Sequence, residues 1–317
     1  MPIIKTLLKA TKLEKEKFKI PKSVQDAIPI QRICPDGIFQ VGSRFSKTFS
    51  FTDINYSIAG KEDKTAMFLD YSELLNALDS GASAKITINN RKINKAEFEQ
   101  SLLLPMKEDG LDHFRKEYNE MLLSKVTGTN NSVVQDRYIT ITVAKRNIDE
   151  ARTYFSRVGT DLITHLSQLS SIGRELDAGT RLQIFRDFFK GGEPAAFEFN
   201  LKEQMKNGHS FKDWLCPDSM EFQKDHFRLN DRWGRVLYLQ GYASYIKDSM
   251  IAELCDMDRS LMLSIDILPV PTDEAVREIQ NKLLGVETNA ANWQRKQNAA
   301  NNFSAVLPYD MEQQRKE

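Results

Sequence analysis

The sequence predicts an α+β fold, with mixed or antiparallel sheets of split βαβ type and amphipathic helices packed on them. Strand-like segments with alternating apolar residues come in the order strand, strand, helix, strand, and this order occurs twice. A long segment from Asn147 to Leu169 has a helical apolar stripe that needs a sheet or another helix to cover it. The composition, 41% hydrophobic and 28% charged over 317 residues, is that of an ordinary globular protein.

Residues 1–28 are expected to form a basic flexible tail. Residues 1–22 contain seven lysines against Glu14 and Glu16, which gives a net charge of +5. A solvated terminus without a partner is the favoured interpretation, because chain ends are usually disordered unless they dock. The alternative is a weak, salt-sensitive contact of the lysines and a few apolar residues with an anionic membrane surface.

The first strand, strand, helix, strand unit follows Pro29. The turn signal Cys34-Pro35-Asp36-Gly37 and the alternating phenylalanines of residues 44–51 predict a β-hairpin. Leucines at helical spacing in residues 72–78, ended by Ser80-Gly81, predict a short helix. Alternation over residues 84–88 predicts the next strand.

The spacing of apolar residues in the middle of the chain predicts three helices and a strand. A helix begins near Asp109, with an apolar side of Leu111, Phe114, Tyr118, Met121 and Leu122. The polar residues 127–131 end it and are a possible internal boundary. After a strand at 138–143, Asn147 caps the long helix, and a further helix at 182–189 stops at Gly191-Gly192. The stripe of the long helix comprises Ile148, Ala151, Phe155, Val158, Leu162, Leu166 and Leu169.

The second unit lies near the C-terminus. Residues 222–229 and 233–240 flank Asn230-Asp231-Arg232 and predict a hairpin. A helix with Ile246, Met250, Leu254 and Met257 and a strand at 261–267 follow. We therefore expect one α+β unit over residues 29–270, and a helical linker over residues 271–317.

Composition excludes several classes of function. Lysine plus arginine total 44, as do aspartate plus glutamate, so no overall positive charge favours direct binding of nucleic acid. Cys34, Cys216 and Cys255 are far apart in sequence, which suggests neither a disulfide framework nor a zinc site and fits a reducing cytoplasm. No apolar run reaches the length needed to span a bilayer, and no secretion signal is recognisable.

The sequence contains no recognisable catalytic, cofactor-binding or metal-binding constellation. Gly60-Lys61 and Lys64-Thr65 lack the glycines of a phosphate-binding loop, and Gly191-Gly192 leads into Glu193-Pro194 instead of a helix start. Asp256 and Asp258 are i and i+2, a spacing more typical of loop or capping groups than of an acid/base pair. The phenylalanines and Trp233 are interpreted as core residues in preference to a partner-binding stripe. Four histidines occur without ligand spacing, namely His113, His165, His209 and His226.

Seven short stretches carry a resemblance to a known family. They are residues 28–38 (IPIQRICPDGI), 51–56 (FTDINY), 62–66 (EDKTA), 117–121 (EYNEM), 138–140 (YIT), 254–258 (LCDMD) and 307–312 (LPYDME). In this order they resemble the N-terminal part of the VirB-type, TrbE/CagE-like conjugation ATPases of Gram-positive integrative elements, which are motors of type IV secretion systems. The resemblance covers about residues 28–317.

The resemblance implies a non-catalytic assembly domain in front of a RecA-like motor. ATP and magnesium are then expected only in the motor, whose Walker motifs are absent here, so this chain is expected to be an excised domain or a truncated gene product. The implied partners are the motor domain, membrane channel components and further copies, at the cytoplasmic face of the membrane. A self-contained soluble enzyme or ligand-binding α+β protein is the alternative.

Overall fold

The computed structural model describes residues 21–54, 56, 58–92, 103–128, 133–190, 200–241, 245, 249–257 and 259–299. The predicted tail lies outside this part up to residue 20, as do the C-terminal residues from 300 onward. The described elements, in chain order, are α1 (Val24–Ala27), β1 (Arg32–Ile33), β2 (Phe39–Val41), β3 (Arg44–Phe51), α2 (Lys61–Asn76), β4 (Ala82–Lys92), α3 (Asp112–Gly128), β5 (Val133–Ala144), α4 (Ile148–Gln168), β6 (Gly173–Glu175), α5 (Ala178–Lys190), α6 (Leu201–Lys206), α7 (Phe211–Leu215), β7 (Met220–Phe222), β8 (Phe227–Leu229), β9 (Arg232–Gly234), α8 (Ser249–Cys255), β10 (Leu261–Ile267) and α9 (Thr272–Ala299).

The predicted α+β class is confirmed, and every strand pairing in the described residues is antiparallel. The main sheet has the order β1-β2-β3-β5-β4-β10, with β6 also beside β3. Both β3 and β4 run antiparallel to β5, which lies between them, so β3 and β4 are parallel to each other. The unit β3-α2-β4 is therefore the split βαβ arrangement that the sequence predicts.

One face of the main sheet carries the principal core. Successive side chains of a strand point to opposite faces, so Phe45 and Phe49 of β3 lie on the same face as their register partners Val143 and Ile139 of β5. Helices α2 and α4 cover this face. The phenylalanine alternation of the hairpin thus marks the buried side correctly.

Helix α4 behaves as the sequence predicts. The Asn147 side chain accepts a hydrogen bond from the Glu150 backbone N–H and caps the helix. Its predicted stripe faces the principal core, and Phe155 is 1% exposed. Gly159 lets α4 approach β3, because a Cβ at this position would lie 3.0 Å from the Phe49 ring.

A second, smaller core lies under α5. It joins α5 and α7 to the chain around α1 and β2 through Ile28, Ile30, Phe39, Ala178, Leu182, Trp214, Leu215 and Cys216. The Lys212 ammonium donates to the Gln25 and Ile28 carbonyl oxygens and ties α7 to α1. The last residues of the predicted tail, 24–28, are therefore structured in the protein.

A buried arginine fixes α5 to the sheet. Arg181, 3% exposed, donates to the Gly37 and Ser46 carbonyl oxygens at 2.6 and 2.8 Å and to the Ser46 hydroxyl at 3.2 Å. Its guanidinium lies 4.0 Å from the Phe39 ring centroid. Burial lowers the pKa of Arg181, but guanidinium groups remain charged at neutral pH.

The turn before β2 requires a glycine at position 37. Gly37 has a φ of 78°, and a Cβ there would lie 2.0 Å from the Leu176 carbonyl oxygen.

Three sequence-based expectations need correction near the C-terminus. Residues 222–229 were expected to form one strand, but the structure has β7 and β8 with a turn between Gln223 and His226. The strand expected at 233–240 ends at Gly234. The second strand, strand, helix, strand unit does not exist as a unit, because β8 and β9 belong to a separate three-stranded sheet while β10 pairs with β4.

Two helices also differ in length from expectation. Helix α2 begins at Lys61, eleven residues before the predicted start at Ser72. Helix α8 spans only Ser249–Cys255, and Ile246 lies outside the described residues. The possible boundary at 127–131 stays a prediction, although the strands on either side of it, β4 and β5, pair from Ala82↔Val143 to Lys92↔Val133.

Candidate functional site

One feature of the surface is an apolar stripe on α3. Leu111 precedes the helix, and Phe114, Tyr118 and Met121 follow at helical spacing. These four side chains are 41–59% exposed. The periodicity correctly predicted an amphipathic helix, but the apolar side faces solvent. Contiguous exposed apolar side chains of this kind are typical of protein interaction surfaces.

A network of polar contacts holds α3 and the loop before it in place. The buried Asn119 carboxamide bonds both the N–H and the carbonyl of Leu104, each at 2.9 Å. Arg115 donates to Asp109 and Asp112, and Asp112 also accepts the Lys107 and Glu108 backbone N–H groups. The hydrogen bond from Arg115 lowers the pKa of Asp109 to about 2. The stripe is thus presented on a helix whose N-terminus is fixed.

A second exposed apolar segment follows the small sheet. Val236, Leu237, Tyr238 and Leu239 are consecutive and 71–84% exposed. Trp233 in β9 and Phe222 in β7 are also largely exposed, at 69% and 68%. The assignment of aromatic residues to the core is therefore right for Phe39, Phe45, Phe49 and Phe155, and wrong for Phe114, Phe222 and Trp233.

A polar groove of about 590 Å³ lies between α5 and the second face of the main sheet. Its lining includes three arginines and three aspartates, so it has no net charge from these groups. Arg91 Nε lies 2.7 Å from Asp136 Oδ2, and Gln183 donates to Asp187 at 2.6 Å. Asn89, which is 8% exposed, also lines the groove.

The polar side chains that line the groove are suited to hydrogen bonding. Burial and the neighbouring Asp136 raise the pKa of Tyr138, so its phenol remains a hydrogen-bond donor at neutral pH. Neither histidine nor cysteine is among the described residues that line it. The groove can therefore accommodate a polar ligand.

The remaining residues singled out from the sequence are dispersed. Lys61, Lys64 and Thr65 lie in the first turns of α2, where Thr65 donates to the Lys61 carbonyl, and so form no phosphate-binding loop. Asp256 directly follows α8, whereas Asp258 and Gly191-Gly192 lie outside the described residues.

The histidines and cysteines are equally scattered. The His113 ring lies beside the Phe114 ring on α3 in a tilted arrangement, His165 contacts Gln168 on α4, and His226 lies 2.8 Å from Asp225 near the small sheet. All three cysteines are buried, and burial raises the pKa of each thiol. Within the described residues no three His, Cys, Asp or Glu side chains group as metal ligands would.

No protein-family model matches this chain, and no curated protein matches it. Among the helices in the described part of the chain, none is both long and apolar enough to cross a membrane. The resemblance to the conjugation ATPases therefore stays a prediction.

Proposed function

We propose that this chain is a non-catalytic assembly domain of a conjugative type IV secretion ATPase, which docks the motor to the transfer machinery by protein–protein contacts. The apolar stripe on α3 is the observation that supports docking. Leaving Phe114 and Tyr118 about half exposed is unfavourable for an isolated domain, and a partner surface would remove that cost.

The partners in this proposal are the motor domain, the membrane channel components and further copies of the chain. The site of action is the cytoplasmic face of the membrane, reached through these partners, with weak surface contact from the basic tail. The balanced charge of the chain supports protein partners in preference to nucleic acid. ATP and magnesium belong to the motor.

Replacing Phe114 with aspartate is expected to abolish binding to the motor domain or to the channel proteins of the same transfer system. The substitution places a charge in the centre of the exposed stripe, where a partner would have to desolvate it. Because Phe114 is 59% exposed, the melting temperature is expected to change little. Binding is measured with purified partners by calorimetry.

Lys116→Asp is the matched control, because Lys116 is exposed on the opposite side of α3. This variant introduces the same aspartate side chain as Phe114→Asp. The control is expected to bind as the unaltered chain does. Equal binding by all three proteins would show that the α3 stripe is not the docking surface. Absence of binding by the unaltered chain to every component would contradict the proposed function.

The purified chain is expected neither to hydrolyse ATP nor to bind it specifically, since the described residues contain no phosphate-binding loop and no such loop is recognisable in the whole sequence. Phosphate release equal to that of a boiled sample is the expected result.

The alternative, a self-contained enzyme or ligand-binding protein, is favoured by the polar groove. ATP turnover, or tight binding of a small ligand that is lost in Tyr138→Phe, would support this alternative.

A further inference from the structure

Helix α9 presents a second apolar stripe, with the spacing of a coiled coil. Val276, Ile279, Leu283 and Val286 are separated by three, four and three residues, which are the alternating a and d positions of a heptad. The first three side chains are 47%, 65% and 44% exposed. The flanking positions Gln280, Lys282 and Glu287 are polar, whereas Ala275 and Leu284 beside the stripe are apolar, so over these two heptads the stripe has about the width of a coiled-coil seam.

This helix gains little support from the rest of the chain. Among the described residues, α9 packs extensively against no other helix or strand. Gly285 lies in its interior, where glycine costs about 1 kcal/mol relative to alanine. Isolated helices are marginal in water, and most helices in proteins are stabilised by packing of an apolar side. A partner for the stripe would supply that packing.

The charges beside the stripe indicate what the partner is. Lys282 occupies position g and Glu287 occupies position e of the next heptad. In a parallel pair of identical helices, a residue at g meets the residue five positions later at e of the other helix, so Lys282 meets Glu287 in both directions. An antiparallel pair would instead place e beside e and g beside g.

The existing contact of Lys282 is compatible with this arrangement. Its ammonium lies 3.3 Å from the Glu278 carboxylate one turn away in the same helix. An ammonium has three donors, so Lys282 can contact Glu278 of its own helix and, at the same time, Glu287 of a second copy.

We propose that α9 pairs with α9 of a second copy of this chain as a parallel, two-stranded coiled coil. A further copy of the chain is also one of the partners in the proposed function, but this pairing rests on the α9 stripe alone, and the purified chain would form it without the motor or the channel. It also uses a different helix from α3, so the two surfaces can be tested separately.

The full chain is expected to sediment with a mass rising, with concentration, to twice the 36.4 kDa of one copy. Ile279→Asp is expected to raise the dissociation constant about tenfold or more, because an aspartate at position d is buried against its counterpart. Leu284→Asp is the matched control. Leu284 is 63% exposed and lies outside the seam, at position b, so this variant is expected to dimerise normally.

Charge exchange tests the parallel orientation. Lys282→Glu alone is expected to weaken the dimer, and the double variant Lys282→Glu with Glu287→Lys is expected to restore it. Circular dichroism of each variant shows whether the fold is retained. A monomer at every concentration, an equal effect of Ile279→Asp and Leu284→Asp, or no restoration by the double variant would overturn the proposal.

Discussion

Replacing Phe155 with alanine is expected to lower the free energy of unfolding by about 3–5 kcal/mol, the range for truncating a fully buried phenylalanine. Phe155 is 1% exposed and lies in the principal core, in the middle of the α4 stripe. The substitution removes apolar burial and leaves a cavity that neighbouring side chains fill only in part. Urea denaturation followed by circular dichroism gives the change.

Asp161→Ala is the control on the exposed side of the same helix, and it is expected to change stability by no more than about 0.5 kcal/mol. A small effect of Phe155→Ala would contradict the assignment of α4 to the core.

Limited proteolysis near residues 127–131 adds a separate test. Two fragments that unfold cooperatively and independently would contradict a single unit over residues 29–270, whose central strands β4 and β5 flank this region.

Arg181→Ala is expected to be comparably destabilising, by about 3–5 kcal/mol, because it leaves buried acceptors unsatisfied and a cavity under α5. The Gly37 and Ser46 carbonyl groups lose their donor, and the contact with the Phe39 ring is lost. Arg181→Met keeps much of the side-chain volume, so it is expected to recover the packing contribution but not the hydrogen bonds.

Arg174→Ala provides the matched control, because Arg174 in β6 is an exposed arginine. It is expected to unfold at nearly the same denaturant concentration as the unaltered chain. If Arg181→Ala were as stable as this control, the cost of burying the guanidinium would equal the gain from its hydrogen bonds. The arginine would then not be what holds α5 on the sheet.

Local features of the fold were predictable from the sequence. Helix α4 was predicted with its cap and its whole stripe, because a regular apolar period over 21 residues and a capping asparagine depend only on nearby residues. The predicted turn at residues 34–37 occurs between β1 and β2, and the alternating phenylalanines predicted the buried side of β3 for the same reason. The turn that joins β2 to β3, at Gly42 and Ser43, was not predicted. The length of α2 was missed because the part before Ser72 has no clear apolar side and its large apolar residues Phe68 and Leu69 are exposed.

The candidate sites were predictable only in part. The α3 stripe was recognised as one side of a helix, and α9 was expected to be helical, but neither stripe was identified as exposed. Nothing in the spacing of Leu111, Phe114, Tyr118 and Met121 distinguishes a buried side from a docking side. The polar groove could not be foreseen, since Asn89, Tyr138 and Gln183 come from three separate elements.

The sequence by itself determined where most elements lie and which of their sides is apolar, because turn chemistry and periodicity act over a few residues. The tertiary structure alone decided which elements meet. It placed β10 beside β4 and the β8-β9 hairpin in a separate sheet, and it covered the stripe of α4 while leaving those of α3 and α9 in solvent. Strand pairing and burial depend on contacts between residues far apart in the chain, and a local pattern does not specify the partner.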